Sequence, residues 1–149
     1  MQRAEGVKSV LFVCHGNTCR SPMAAALARQ LLGPGVEIQS AGVDAYDGTP
    51  AAREAVAVMA ERGIDLSGHR ARRVDPSDLS SFDLVVVMDS CIAATLRTFD
   101  LDPAKLVELD IPDPIGRGTE AYRTTAERIA RALEGIFRPG GQGKKAGGS

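Results

Sequence analysis

The sequence predicts a single-domain α/β fold, a four-stranded parallel sheet doubly wound with helices on both faces. Three observations carry that expectation. Short apolar runs alternate with stretches of helical periodicity along the chain, the order that parallel strands joined by right-handed crossovers require. Two of the short runs, Ser9 to Val13 and Leu84 to Met88, are apolar almost throughout, as strands buried on both faces must be. The 149 residues suit one domain, and they can bury a core that needs neither disulfide nor structural metal.

Ser9 to Val13 is β-branched, apolar and bounded by polar residues, so it reads as a buried strand. Ser21 to Leu32 follows as a helix, with Met23, Leu27 and Leu31 spaced by four, Pro22 in its first turn and Gly33-Pro34 as its stop. Val36 to Ser40 is the second strand. Pro50 to Arg62 is a helix whose apolar face comprises Ala52, Ala55, Val56, Met59 and Ala60. Leu84 to Met88 is the clearest strand, followed by a helix over Ile92 to Thr98 and a weaker strand over Leu106 to Leu109. Thr119 to Phe137 is the last helix, with Tyr122, Ala126, Ile129, Leu133 and Ile136 on one side. The domain is expected to span 1–137, and the Gly-rich stretch 138–149 reads as a disordered tail. No internal repeat is present.

Composition excludes several classes. A net charge of -1 gives no electrostatic reason to expect nucleic acid or a membrane surface as a partner. No apolar run approaches the roughly 18 residues of a membrane span, and the first residues do not read as a signal peptide. Three cysteines are an odd count for a secreted disulfide framework, so a reducing cytoplasm is the expected compartment. The sequence does not indicate an oligomeric state.

The chemistry concentrates where the first strand ends, in Cys14-His15-Gly16-Asn17-Thr18-Cys19-Arg20-Ser21-Pro22. Ligands of open α/β sheets bind beyond the carboxyl ends of strands. Successive backbone N–H groups in such a loop can form an anion-binding nest, and the following helix N-terminus adds positive partial charge. Both favour a thiolate at Cys14. Five residues separate Cys14 from Arg20, whose planar guanidinium holds two oxygens of a phosphoryl group at once. Gly16 and Asn17 suit the positive φ of a tight cradle. Nucleophile, donors and cation thus converge on one small dianion. A structural cysteine explains less of this loop. A metal site from Cys14, His15 and Cys19 lacks a fourth ligand at suitable spacing, because His69 and Cys91 are distant. No metal and no cofactor are expected. A dinucleotide-binding turn is excluded, since the loop lacks the Gly-x-Gly-x-x-Gly spacing. Asp113, flanked by Pro112 and Pro114, is the candidate proton donor for a leaving group.

These residues resemble the low-molecular-weight protein tyrosine phosphatase family over about Ser9 to Phe137. The likeness is carried by Val13 to Ala24, Ser40-Ala41-Gly42, Gly63 to Arg72 and Asp113-Pro114. It implies phosphorylated proteins as substrates and two-step covalent catalysis without metal. Cys14 would form a phosphocysteine, with Asp113 as acid and then as base. It further implies that Ser21 donates to the Cys14 sulfur and that Asn17, Ser40 and His69 brace the loop. Many tyrosine-specific members have Ile where this chain has Thr18 and longer aromatic residues where it has Ile115 and Gly116. Gly-Asn-Thr-Cys-Arg-Ser-Pro resembles the branch that acts on phosphoarginine, and a threonine hydroxyl can bond a guanidinium where isoleucine cannot. Tyr46 falls near an aromatic pocket wall of tyrosine phosphatases. It could stack on a phenyl ring or on a guanidinium plane. The expectation therefore tilts to phosphoarginine, with phosphotyrosine as the alternative. An arsenate reductase of similar fold would need a relay of redox cysteines, and Cys91 is the single cysteine outside the loop. A non-enzymatic binding module would have lost Cys14 or Asp113. Cys14 and Cys19, at the two ends of one short loop, could also form a reversible protective disulfide.

Overall fold

In a computed structural model of the protein, residues 6–137 are described. Four parallel strands, β1 (Ser9–Cys14), β2 (Glu37–Gly42), β3 (Leu84–Val87) and β4 (Leu106–Glu108), form one sheet in the order β2-β1-β3-β4. The two inner strands are the two apolar runs, and Val10 to Val13 and Val85 to Val87 have no exposed surface. Five helices cover the sheet: α1 (Arg20–Leu32), α2 (Arg53–Glu61), α3 (Pro76–Ser81), α4 (Ser90–Arg97) and α5 (Thr119–Phe137). From β1 the chain steps to β2 on one side, then crosses to β3 and β4 on the other. With right-handed crossovers this reversal sets α1 and α4 on opposite faces. It also makes the gap between the ends of β1 and β3 the topological switch point, where such sheets bind ligands. α5 packs on α1 and α2 through Tyr122, Ala126, Ile129, Leu133 and Phe137.

The strands and three of the four expected helices lie within a residue or two of the sequence reading, and the differences have causes. The second helix begins at Arg53 and not Pro50, because Pro50 pairs with Arg70 in an isolated bridge and the Ala52 N–H donates to the Thr18 carbonyl at 2.9 Å. Those residues brace the Cys14 loop in place of starting a turn. Val58, absent from the expected face, is buried with Ala55 and Met59, whereas Ala60 is exposed. α3 was not expected. It is short, and it is held by a capping box in which Asp75 and Asp78 satisfy each other's backbone, with Pro76 in the first turn. A 3₁₀ turn over Pro103–Lys105 precedes β4. In α5, Phe137 takes the buried place expected for Ile136, which is half-buried. The expected tail at 138–149 lies outside the described residues. Among the described residues no helix is long and apolar enough to cross a membrane.

Candidate active site

Cys14 is the last residue of β1, and its sulfur lies at the switch point. It is 2.9 Å from the Ser21 hydroxyl and accepts from the Asn17 amide at 3.2 Å. The loop turns back on itself at Asn17, whose φ of 57° lies in the left-handed region. Asn17 has no exposed surface, and its side chain is the internal brace. Nδ2 donates to the Ser21 and Ser40 hydroxyls at 2.8 and 2.9 Å, while Oδ1 accepts from the Arg72 amide at 2.9 Å. The expected positive φ at Gly16 is not found, because the single left-handed residue at Asn17 suffices to close the turn.

His69 Nε2 lies 2.7 Å from the Asn17 carbonyl. A carbonyl accepts, so Nε2 carries the proton. Burial pushes the imidazole below its ordinary range, the bond to the carbonyl works the other way, and Arg29 and Arg70 add to the depression. His69 is therefore a neutral brace and not a surface histidine. Gly42, at the end of β2, lets the loop approach closely. A Cβ there would sit 2.6 Å from the His15 carbonyl and 2.9 Å from the Asn17 nitrogen.

Arg20 opens α1 and is 3% exposed. Its Nη1 donates to Asp89 Oδ2 at 2.9 Å and to the Ile111 carbonyl at 2.8 Å, and its Nη2 is 3.8 Å from Asp113 Oδ2. A buried guanidinium needs such partners, since leaving one uncompensated costs several kcal/mol. Asp89 caps α4 through the Ile92 amide. Burial pushes its carboxyl up, but the bonds from Arg20 and from the Ile92 and Cys91 amides outweigh this and hold it below its ordinary value. Asp113 is 43% exposed, and its Oδ1 accepts from the Ile115 amide at 3.1 Å. Asp113 thus reaches the cradle from the loop after β4, and the sites expected from separate stretches meet at the ends of β1, β3 and β4.

The remaining expected residues divide. Ser21 and Ser40 sit in the brace. Thr18 is half-buried with its hydroxyl 3.6 Å from the Cys19 sulfur. Cys19 faces inward to the Tyr122 hydroxyl at 3.3 Å, and burial pushes its thiol up despite the bonds from Tyr122 and Thr18. All three cysteines are free thiols. His15 is exposed beside Asp44, 3.6 Å away. Cys14, His15 and Cys19 therefore point in three directions and do not form a ligand set. Tyr46 and Ile115 stand on the rim, 82% and 59% exposed, so Tyr46 is not packed on the domain. Sequence reasoning missed Asp89, and it named Gly42, Arg72 and Tyr122 only within motif stretches or on a helix face, without their contacts at the site. Asp89 had a signal, an Asp directly before Ser90 at a strand-to-helix junction, where N-caps occur. Asp75-Pro76-Ser77-Asp78 likewise spelled a helix start. The roles of Gly42 and Tyr122 are contacts across the fold, with no local signature.

Fold and site together define a class: an α/β protein whose tightly turned loop at the end of its first strand brings together a thiol and a buried arginine. A family model for low molecular weight phosphotyrosine protein phosphatase matches residues 9–145. Over 137 residues the chain is 42% identical to a probable low molecular weight protein-tyrosine-phosphatase EpsP of Ralstonia nicotianae, covering 86% of this chain and 92% of that protein. It is 36% identical to a protein-arginine-phosphatase of Geobacillus stearothermophilus, covering 84% and 90%, and 34% identical to arsenate reductase 2 of Staphylococcus haemolyticus, covering 85% and 94%. The crystal structure of a low molecular weight protein tyrosine phosphatase from T. tengcongensis superposes with a TM-score of 0.76 at 40% identity, covering 85% and 95%. The chain belongs to the low molecular weight phosphotyrosine protein phosphatase family and is an enzyme of that family.

Proposed function

We propose that the protein hydrolyses phosphorylated side chains of proteins through a phosphocysteine on Cys14, with phosphoarginine the preferred substrate. The observation that supports the reaction is the surround of the Cys14 sulfur, with the Ser21 hydroxyl at 2.9 Å and the Asn17 amide at 3.2 Å, in a loop braced by Ser40, His69 and Arg72. Ser21 has one proton and three neighbours, since it also lies 3.3 Å from the Ala41 carbonyl. With a thiol at Cys14 it can donate to Ala41; with a thiolate it turns to the sulfur. The same donation stabilises sulfur as it leaves phosphorus in the second step.

The phosphoryl group binds over the loop amides and the first turn of α1, where Cys19 supplies no side-chain cap. Arg20 Nη1 is occupied by Asp89 and Ile111, which leaves the Nε–Nη2 edge for two phosphoryl oxygens. In the first step the Cys14 thiolate forms the S–P bond as the bond to the leaving oxygen or nitrogen breaks, and Asp113 gives that atom its proton. In the second, Asp113 takes a proton from water as water attacks phosphorus, and the S–P bond breaks to release inorganic phosphate and the thiolate. Donors fixed before reaction carry most of the charge stabilisation.

Support for phosphoarginine is Thr18, a half-buried hydroxyl in the cradle wall that can accept from a guanidinium N–H. A specific observation favours phosphotyrosine as a second reading: Tyr46 is exposed on the loop whose Val43 and Asp44 amides bond the Cys14 and His15 carbonyls, free to stack on a ring. The arsenate reductase reading finds Cys91 exposed at the start of α4, without a companion for a relay.

Two measurements test the proposal. Cys14→Ser and Arg20→Ala should each lower turnover of para-nitrophenyl phosphate at least about a hundredfold; near-normal turnover in Cys14→Ser would sink the mechanism. Specificity constants on matched phosphoarginine and phosphotyrosine peptides should favour the former, and the reverse order would install the second reading.

A further inference from the structure

A groove of about 270 Å³ opens beside the candidate acid, between the Asp113 loop and the first turns of α5. Its walls include Pro112, Asp113, Pro114 and, from α5 and the residues before it, Arg117, Thr124 and Arg128. The arginines are unlike their neighbours. Arg123 and Arg131, on the same helix, are each tied to carboxylates, Arg123 to Glu61 and Glu120 and Arg131 to Glu127. Among the described residues neither the Arg117 nor the Arg128 guanidinium has a partner, and both side chains are exposed. Two uncommitted guanidiniums thus border one concavity whose single acidic wall residue is Asp113.

We infer that this groove is a subsite for an acidic side chain of the phosphoprotein substrate, close in sequence to the phosphorylated residue. The inference rests on the phosphatase reading and adds a specificity determinant to it. Three points carry it. Asp113 belongs to both sites: its carboxylate lies 3.8 Å from Arg20 Nη2 and the residue also lines the groove, so the groove is within reach of a peptide whose phosphoryl group sits in the cradle. The groove is smaller than a pocket for a drug-sized ligand but has room for a side chain. Arginine suits carboxylates because its fork donates two bonds at once.

The test uses the full chain and phosphopeptides bearing whichever phosphorylated residue it hydrolyses faster. A single Glu is placed at successive positions on either side and compared with Gln at the same position. Within one protein preparation the ratio of specificity constants, Glu over Gln, cancels enzyme concentration and folding. The wild type should give a ratio of about three to ten at one flanking position, the size expected of one or two partly exposed charge pairs. The gain should lie in KM and shrink as salt rises. The double variant Arg117→Gln/Arg128→Gln should bring the ratio to about one, and the Arg→Lys pair should retain part of it. A ratio near one at every position in the wild type, or one unchanged in the double variant, overturns the inference. So would non-competitive inhibition by inorganic phosphate that disappears in the double variant without a change in peptide ratio, which would assign the groove to a free anion. Hydrolysis that survives in Cys14→Ser would instead strike the phosphatase reading itself, so the two failures are separable.

Discussion

In the Cys14 loop every polar side chain of the brace has a partner: Asn17 bonds Ser21, Ser40 and Arg72, and its carbonyl holds His69. Tyr46, Ile115, Arg117 and Arg128, by contrast, are exposed, and among the described residues neither of these arginines has a guanidinium partner. The buried half is over-determined. Its groups would each cost about 1–3 kcal/mol if left unpaired, so one arrangement is enforced. The exposed half is under-determined, and its residues can change without disturbing the fold. Chemistry common to all phosphorylated side chains belongs in the first half, and the choice among them in the second. Thr18, part-buried, and Asp113, exposed but 3.8 Å from the buried Arg20 guanidinium, lie between the two.

The division can be broken most severely at the brace. Asn17→Ala removes three side-chain hydrogen bonds, orphans the Arg72 amide and puts alanine at φ 57°. It should destabilise by about 2–4 kcal/mol and lower kcat as well. Gly42→Ala should do comparable harm, since the new methyl meets backbone at 2.6 and 2.9 Å. Tyr46→Ala should change stability by less than about 0.5 kcal/mol. Denaturant midpoints for the three variants decide the matter, and equal losses at Asn17 and Tyr46 would erase the division.

Asp113 sharpens it. Asp113→Asn keeps the Asx turn to the Ile115 amide but cannot give or take a proton. Turnover should fall about a hundredfold or more for basic leaving groups. For para-nitrophenolate the first step suffers less, and phosphocysteine should accumulate in rapid-quench samples. Rates left unchanged across leaving groups of differing basicity would point to Asp110 or another acid.

Thr18 should give a smaller effect, on specificity alone. Thr18→Ile should shift the ratio of specificity constants toward phosphotyrosine by about tenfold, with stability near wild type. An unmoved ratio would return the choice of substrate to the rim at Tyr46.

The smallest effect concerns pH. His69 is held below its ordinary value in the fold, chiefly by burial, so the unfolded chain binds its proton more readily. This contribution is complete above about pH 6.5 and is lost as pH falls through the folded value. Urea midpoints should therefore drop more between pH 7.5 and 5.5 in wild type than in His69→Gln. Parallel pH dependences would show that His69 does not couple protonation to folding.

The sequence by itself determined the fold and the candidate reacting groups. Apolar runs at Ser9 to Val13 and Leu84 to Met88 could be buried only as inner strands. Cys14 and Arg20 are neighbours in one loop, so their meeting needs no long-range information. Local signals also existed for α3 and Asp89 and were there to be read. What only the tertiary structure decided is how distant segments share atoms. Ala52 gives its amide to Thr18 and so delays α2 to Arg53. Asp89 and the Ile111 carbonyl anchor Arg20 from the ends of two other strands. Gly42 is a glycine because the loop crosses it at van der Waals distance. Among the described residues Arg128 has no ion-pair partner, while Arg123, five residues earlier on the same helix, finds Glu61 on α2. Hydrophobic periodicity and turn chemistry act over a few residues and are written locally. Hydrogen-bond pairing, close approach and burial of charge depend on which segments the folded chain brings within about 3 Å, and no run of neighbouring residues specifies that.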